Sequence, residues 1–222
     1  MHPIYRRSIG DFLSWASVAL ENALNSPDVQ AAMSAFGYDE ARLLEGVALL
    51  ETALSHRAGQ KEDYGKQYAA TLAMRQAWHA ADRQYYALHR RLVRLILRYD
   101  ADLQRRNALG LNVPKSQRFN LWLDEAVSFY NNVLQDPQIQ TALASYNVTL
   151  EDLEQGQAAI QEVKALKGVQ DREKTQAQQA TKDRDAVFKA LNEWLAKFRE
   201  VARIALADSP QHRESLQLGH IP

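Results

Sequence analysis

The fold is constrained most by the fact that the sequence repeats itself. The stretch SPDVQAAMSAFGYDEARLLEG at 26–46 aligns with DPQIQTALASYNVTLEDLEQG at 136–156 at a constant offset of 110. Between positions 12 and 46 the two copies share nine identical residues, where ordinary residue usage would give about two. Prolines, asparagines and glycines are among them, which unrelated amphipathic helices would not share. The aligned pairs include Asn22 with Asn132, Phe36 with Tyr146, and Gly46 with Gly156.

From position 81 onwards the copies align at an offset of 109, so we place a one-residue slip in the polar region before it. This alignment sets Tyr85 against Trp194 and His89 against Phe198. It also matches the leucine-glycine ending at 109–110 with the one at 218–219, and both endings are typical of a helix stop.

The repeat predicts an internal duplication of a unit of about 108 residues. The first repeat is expected to cover 1–112 and the second 113–222, with the two packed as one globular unit. The segment VPKSQ at 113–117 links them.

Local signals predict helices throughout. Ser26 and Asp136 each precede a proline, the arrangement of an N-cap followed by proline at the first helical position. Asp39 and Thr149 offer the N-caps of a third helix in each copy. No run of alternating apolar and polar residues indicates a strand. The predicted fold class is therefore all-α.

Each copy is expected to contain one long helix. Gly59 and Gly168 are candidates for left-handed residues that would end the third helix near 57 and 166. Beyond each glycine a stretch without proline runs to Tyr99 or Ala207, which predicts helices of about 38 residues, or about 57 Å. We expect these two long helices to pack against each other as the spine of a pseudo-two-fold bundle.

Composition narrows the functional classes. The chain has 27 basic and 27 acidic residues, a formal net charge of zero, which argues against a protein devoted to phosphate backbones or anionic lipid. It has no cysteine, so it has no disulfide and no thiolate chemistry, as suits a cytoplasmic location. It has no apolar run of about 18 residues that would span a membrane. We expect a cytoplasmic protein without a membrane partner.

The stretch RQYYALHRRLVRLILRYD at 83–100 is the most conspicuous candidate site, with five arginines and no acidic residue before its last position. Apolar residues recur in and before it at alternating spacings of three and four, the pattern of a buried helix seam. That predicted seam consists of Trp78, Ala81, Tyr85, Leu88, Leu92, Leu95 and Tyr99. All five arginines, at 83, 90, 91, 94 and 98, fall away from it.

The second copy argues against a polyanion site along this face. Arg91 is replaced there by Glu200, while Arg90 and Arg94 recur as Arg199 and Arg203. A glutamate within a polyanion-binding face would repel the ligand, so these repeated arginines are expected to form ion pairs within the bundle. His89 aligns with a phenylalanine, so it is expected to be a packed, hydrogen-bonded residue.

Catalytic and metal-binding signatures are missing from the sequence. It contains no nucleophile elbow, phosphate-binding glycine loop or His-Glu-x-x-His motif. His79 and His89 are ten positions apart, so their side chains do not converge on one side of a helix. We expect no enzymatic activity, no metal site and no cofactor.

Three functions remain open on the sequence alone. The first is a non-enzymatic helical interaction or scaffold module that binds a protein partner or itself. The second is a small-molecule-binding protein with a groove between the copies, lined by Trp78, Tyr85, Trp194 and Phe198. The third is anion or nucleic-acid binding through the arginines of 83–98, with nucleic acid disfavoured. The candidate binding residues are Trp78, Tyr85, His89, Arg90, Arg94, Trp194, Phe198, Arg199 and Arg203.

Overall fold

The computed structural model describes residues 8–98 and 102–218, and every element in them is a helix. The prediction of an all-α fold is confirmed. In chain order the elements are α1 (Ile9–Asn25), α2 (Pro27–Ser34), α3 (Glu40–Asp82), a π-helix (Arg83–His89), α4 (Arg90–Ile96), α5 (Leu103–Ala108), α6 (Phe119–Leu134), α7 (Pro137–Ala144), α8 (Leu150–Ala205) and α9 (Pro210–Ser215). None of these helices has the length and apolar character that a membrane span requires.

The predicted helix starts are confirmed. The Ser26 hydroxyl accepts a hydrogen bond from the Val29 amide, and the Asp136 carboxylate accepts one from the Ile139 amide at 3.1 Å. The Asp39 carboxylate caps α3 in the same way, and the Thr149 hydroxyl caps α8. Each of these side chains satisfies an amide that the first helical turn leaves without a partner.

The predicted helix ends at Gly59 and Gly168 are wrong. Both glycines lie inside uninterrupted helices, because α3 runs for 43 residues and α8 for 56. A glycine in a helix interior costs only about 1 kcal/mol relative to alanine, which packing along a long helix readily offsets. Left-handed conformation occurs instead in the connections after helices, at Gly37, Asn147, Gly110 and Gln217. Gly219, the expected stop of the second copy, lies outside the described residues.

The described chain forms two compact units. Unit 1 contains the described residues of 1–64 and 176–222, and unit 2 contains those of 65–175. Each unit therefore takes the beginning of one sequence repeat and the end of the other. The division at 112 and 113 does not coincide with them and stays a prediction about the sequence repeats.

In unit 1 the core joins α1 and α2 to the first part of α3 and the last part of α8. Ala16, Leu20, Met33, Leu43 and Phe198 are among its most buried side chains. Here α3 and α8 run antiparallel, because Gly46 lies against Trp194 whereas Gln60, further along α3, donates to the earlier Thr181 hydroxyl at 3.1 Å. The pairing of the long helices is thus present within this unit.

In unit 2 the core joins α6 and α7 to the last part of α3, the π-helix, α4 and the first part of α8. Tyr85, Trp122, Phe129, Tyr130 and Leu153 are fully buried within it. The two long helices again run antiparallel, with Gln170 donating to the Thr71 hydroxyl at 3.3 Å. Further aromatic rings pack in the core around α6, where Trp78 lies beside Trp122 and Phe119.

Burial follows the repeat closely. From 21 to 50 each residue has the same degree of burial as its partner 110 positions later, except for Arg42 against Asp152. The same offset holds along most of α3, so that Ala81 corresponds to the buried Leu191 and not to the exposed Ala190. The one-residue slip therefore does not lie in the polar region before position 81, where the sequence alignment placed it.

The slip lies in the π-helix. Ala81 and His89 are both buried and eight positions apart, whereas the equivalent Leu191 and Phe198 are seven positions apart in a regular helix. A π-helix has i→i+5 hydrogen bonds and takes up an additional residue in a helical turn. The additional residue of the first copy is thus accommodated between 83 and 89.

The predicted seam is consequently wrong at Leu88 and Leu95, whereas Leu92 is partly buried and packs on the core of unit 2. Leu88 is 45% exposed and Leu95 is 50% exposed, whereas the buried residues are His89, Val93 and Leu97. The π-helix rotates the following helix by about one residue, or about 100°, and this turns a different set of side chains to the core. Tyr99, the last residue of the predicted seam, lies outside the described residues.

Candidate functional site

His89 lies at the end of the π-helix with only 1% of its surface exposed. Its Nδ1 is 3.0 Å from the Tyr130 hydroxyl of α6. Burial lowers the pKa of His89 below its ordinary value, although the negative charge of Asp152 opposes the shift. A neutral, hydrogen-bonded imidazole is the expected state in such a site, and this agrees with the packed role that its alignment with a phenylalanine predicts.

Tyr130 contacts the backbone of α8 through a glycine. A Cβ atom built on Gly156 would come closer than 3.0 Å to the hydroxyl and ring of Tyr130. Tyr85 adds its ring at 6.0 Å from the Tyr130 ring, and burial raises the pKa of both tyrosines. Gly156 is therefore required for close approach of the ring, and neither phenol is a candidate acid or base near neutral pH.

Arg90 is buried, although the sequence analysis expected it to face away from the seam. Its side chain donates hydrogen bonds to the carbonyl oxygens of Gly110 and Val113. The guanidinium also lies 5.3 Å from the centroid of the Tyr86 ring. Arg90 therefore holds the segment after α5, including the first residue of the VPKSQ link, against the start of α4. The predicted ion pair is wrong for this residue.

Asp82, the last residue of α3, forms a second polar cluster beside Arg90. Its carboxylate accepts a hydrogen bond from Trp122 Nε1 at 2.7 Å and forms a salt bridge with Lys115. The Lys115 ammonium also lies 4.8 Å from the centroid of the Tyr86 ring. These contacts bind the link at 113–117 to unit 2 at a second point.

The equivalent position in unit 1 is filled by aromatic rings without a histidine. Trp194 and Phe198 stack at a centroid distance of 5.5 Å, and Tyr38 packs edge-on against Trp194 at 5.6 Å. A Cβ on Gly46 would come closer than 3.0 Å to the Trp194 ring. Gly46 and Gly156 thus each allow an aromatic ring to approach the helix backbone closely. The ring comes from α8 in unit 1 and from α6 in unit 2.

The repeated arginines of unit 1 have different surroundings. The Arg199 guanidinium lies 5.5 Å from the centroid of the Trp15 ring. Arg203 forms an exposed ion pair with Glu200 at 2.9 Å. The expectation of ion pairs is thus met for Arg203, while Arg199 is held beside an aromatic ring.

The structure does not bring the four proposed groove residues into one unit. Trp78 and Tyr85 belong to unit 2, where both rings pack on Trp122. Trp194 and Phe198 belong to unit 1 and are almost completely buried there. The ring faces that would have lined a ligand groove are occupied by the cores of their own units, and the groove stays a prediction.

The segment 83–98 also has a solvent-exposed surface, which we name the Leu-Arg face. It consists of Arg83, Leu88, Arg91, Arg94 and Leu95, all of them exposed. Within the described parts of the chain, Arg83, Arg91 and Arg94 have no hydrogen bond or ion pair. Arg94 is thus the one candidate arginine that remains available to a partner.

Tyr130, Asp82 and Lys115 belong to the site but were not predicted from the sequence. One signal for Tyr130 was available, because two aligned pairs change together from apolar to polar: Leu20 becomes Tyr130, and Phe198 becomes His89. A correlated exchange of this kind indicates spatial contact. The salt bridge of Asp82 with Lys115 joins a helix end to a link 33 positions away, and no spacing rule predicts it.

Other concave or charged regions offer little for chemistry. The described ranges hold no group of three or more histidine, aspartate or glutamate residues that could bind a metal ion. A groove of about 540 Å³ lies between α3 and α8 of unit 2, lined largely by alanines such as Ala73, Ala77 and Ala159. Its polar lining residues are Gln76, Gln84 and Glu162. Comparisons with protein families, curated proteins and solved structures found no match.

Proposed function

We propose that this chain is a non-enzymatic helical module that binds protein partners. One observation carries the proposal: the same turn occurs in each unit and presents an exposed aromatic ring. Phe36 follows α2 in unit 1 and is 52% exposed, and Tyr146 follows α7 in unit 2 and is 47% exposed. Single exposed apolar residues are ordinary, but an aligned pair in identical local structure calls for a common role.

The backbone of the two turns is the same. In the first, the Tyr38 amide donates to the Met33 carbonyl at 3.1 Å, around the left-handed Gly37. In the second, Val148 donates to Leu143 at 3.2 Å, around a left-handed asparagine. This is the hydrogen-bond pattern of a Schellman helix stop. It anchors the residue after the turn in the core and holds the aromatic ring before it outside.

Each ring has an exposed leucine nearby in sequence. Leu44 of α3 and Leu150 of α8 are both half-exposed. Burying an aromatic or leucine side chain in an interface contributes about 1.5–3 kcal/mol, and aromatic residues are enriched among the side chains that dominate binding. Tyr68 and Leu72 on α3 support the proposal further, because they too are exposed large apolar side chains.

The proposal includes an origin by duplication. Its support is the matched burial of 21–50 and 131–160, the matched turns, and equivalent side-chain contacts to the backbone. Asn22 donates to the Ser215 carbonyl at 2.8 Å and Asn132 to the Ala108 carbonyl at 2.7 Å, so each contacts a short helix of its own unit, α9 in unit 1 and α5 in unit 2. A duplicated module offers two equivalent binding turns, and the pseudo-two-fold bundle is part of the same proposal.

A photo-crosslinking amino acid at position 36 or 146 tests the proposal in native cells. The matched controls are Ala31 and Thr141, exposed residues on α2 and α7 that align with each other. We expect crosslinks to the same protein from both aromatic positions and background crosslinking from both controls. Equal crosslinking at all four positions would refute a role for the turns.

The crosslinked partner is then purified and titrated with the full-length chain. Replacing both rings, with Phe36→Ser and Tyr146→Ser, is expected to weaken binding by at least about 30-fold, or about 2 kcal/mol. The variant should retain the helicity and unfolding midpoint of the wild type, because both rings are on the surface. Unchanged affinity in this variant would contradict the proposal.

A further inference from the structure

We infer that the Leu-Arg face of unit 2 is a docking surface for an acidic amphipathic helix of a partner protein. The inference goes beyond the proposed function, because it concerns a surface separate from the aromatic turns and specifies the chemistry of what binds there. Its starting point is that the π-helix leaves Leu88 and Leu95 in solvent.

The two leucines lie on one side of the segment. They are seven positions apart, and Arg91 lies between them at a spacing of three and four. Residues with this spacing fall on one face of a helix. Two leucines two turns apart match the i, i+3, i+7 anchors by which one helix recognises another.

The charged side chains of the segment that carries the leucines are all positive. Arg83, Arg91 and Arg94 flank them, and the sequence from 83 to 98 contains no acidic residue. Arg98 is exposed too, but it already has an interaction of its own and is not counted. Some surface cations elsewhere pair with a carboxylate, as Arg42 does with Glu45 and Lys167 with Asp171. An acidic partner would complete the same arrangement here.

The equivalent surface of unit 1 is neutralised internally. Glu200 replaces Arg91 and pairs with Arg203, the equivalent of Arg94. Lys189 and Glu193 form another contact on the same helix at 4.0 Å. The difference between two otherwise matched segments is thus a net positive charge on one of them, and this gives the charge complementarity that favours an acidic ligand.

The exposed side chains of the Leu-Arg face suit a helix better than a nucleic acid as the ligand. Binding to single strands relies on exposed aromatic rings on which bases stack. Tyr85 is buried, and Tyr86 is occupied by Arg90 and Lys115. What remains exposed is leucine and arginine, which suits apolar side chains flanked by carboxylates.

A designed peptide tests the inference with the full-length protein. The probe is a labelled helix of about 20 residues with leucine at heptad positions a and d and glutamate at e and g. Fluorescence anisotropy at low salt is expected to give a dissociation constant in the micromolar range, weakening as salt is added. Comparison ligands are a scrambled peptide of the same composition, a peptide with lysine for glutamate, and a single-stranded DNA of similar charge.

Three variants assign the binding to the face. Leu88→Ser with Leu95→Ser should weaken binding at least about tenfold. Arg91→Glu with Arg94→Glu should abolish binding of the glutamate peptide and create binding of the lysine peptide. The matched control, Arg203→Glu with Ile204→Ser on the equivalent exposed surface of unit 1, should leave the affinity unchanged. Circular dichroism verifies that each variant is folded.

Specific outcomes would overturn the inference. These are equal affinity for the scrambled peptide, tighter binding of the DNA, unchanged affinity in the double serine variant, or no binding at millimolar peptide. None of them bears on crosslinking at positions 36 and 146, so the proposed function and this inference fail separately.

Discussion

The segment from Ala81 to Leu97 in unit 2 aligns in sequence with the segment from Leu191 to Leu206 in unit 1, but the two pack differently. The first contains one more residue and a π-helix, whereas the second is a regular part of α8. In both, a buried residue recurs at nearly every turn. The difference lies in which side chains are left outside, and it exposes Leu88 and Leu95 in unit 2.

A long helix can thus accommodate an added residue and still contribute the same buried positions to the core. The buried positions before and after the π-helix still match those of unit 1, as Val93 matches Ala202 and Leu97 matches Leu206. The chemistry of the core changes at the same place, from Phe198 to His89. A π-helix is found often at functional sites, and here it coincides with the exposed basic surface.

The largest expected effect comes from deleting one residue in each segment. Deleting Ala87 should convert the π-helix to an α-helix and leave the buried residues on both sides in place, at a cost of about 1 kcal/mol or less. Deleting the exposed Ala196 from α8 should turn Phe198, Ala202 and Leu206 by about 100°. Loss of one large core side chain costs about 3–5 kcal/mol, so this second deletion should cost more than about 4 kcal/mol.

Urea denaturation followed by circular dichroism measures both deletions. The two alanines are matched in size and exposure, so the difference reports how each helix tolerates a change of length. Equal destabilisation by the two deletions would mean that the π-helix does not hold the additional residue.

A smaller effect is expected from filling the two aligned glycine sites. Gly46→Ala and Gly156→Ala should each destabilise the protein by about 1–3 kcal/mol, because the new methyl group would overlap Trp194 or Tyr130. Gly59→Ala is the control, since nothing lies within 4 Å of that site. It should stabilise α3 by about 0.5–1 kcal/mol. If all three variants changed the free energy of unfolding alike, the close ring contacts would be contradicted.

The smallest expected effect is a pH dependence of the free energy of unfolding. It should come from His89 in unit 2, because the equivalent residue of unit 1 is Phe198. The buried His89 has a pKa below that of the unfolded chain, so the unfolded state binds the proton more readily. The neutral imidazole of His89 contributes fully to the free energy of unfolding above about pH 6.5. This contribution is lost as the pH falls towards the lowered pKa, by up to about 1.4 kcal/mol per pH unit. The groups that face it are Tyr130 of α6 and Asp152 of α8.

Replacing the pair by its unit 1 equivalents checks this assignment. The variant His89→Phe with Tyr130→Leu reproduces the pair Phe198 and Leu20 and should show a flatter stability profile between pH 5 and pH 7. Unfolding midpoints measured across this range would contradict the assignment if the variant and the wild type had the same slope.

Sequence reasoning reached the fold class, the aligned copies and the helix starts because these depend on local chemistry. An N-cap beside proline, as at Ser26 and Asp136, determines a helix start without reference to the rest of the chain. The predicted helix ends at Gly59 and Gly168 were wrong because a single glycine destabilises a helix only slightly, and packing along the helix offsets this cost.

The candidate site was predicted in part. The composition of residues 83–100 identified this segment as a candidate site. The seam was predicted for an α-helix of 3.6 residues per turn, which placed Leu88 in the core and Arg90 on the surface. No local signal in RQYYALH specifies a π-helix. What reveals it is the difference of one residue between two copies whose buried positions are known, and this requires the tertiary structure.

Labelling of single cysteines tests the central claim most directly, since the natural chain has no cysteine. Cysteine is placed in turn at Leu88, Val93, Leu95 and Leu97, and the rate of thiol modification is measured in the folded protein. A π-helix at 83–89 predicts rapid labelling at 88 and 95 and labelling slower by about 100-fold at 93 and 97. Protection at 88 and 95 with rapid labelling at 93 would show an uninterrupted α-helix and contradict the account.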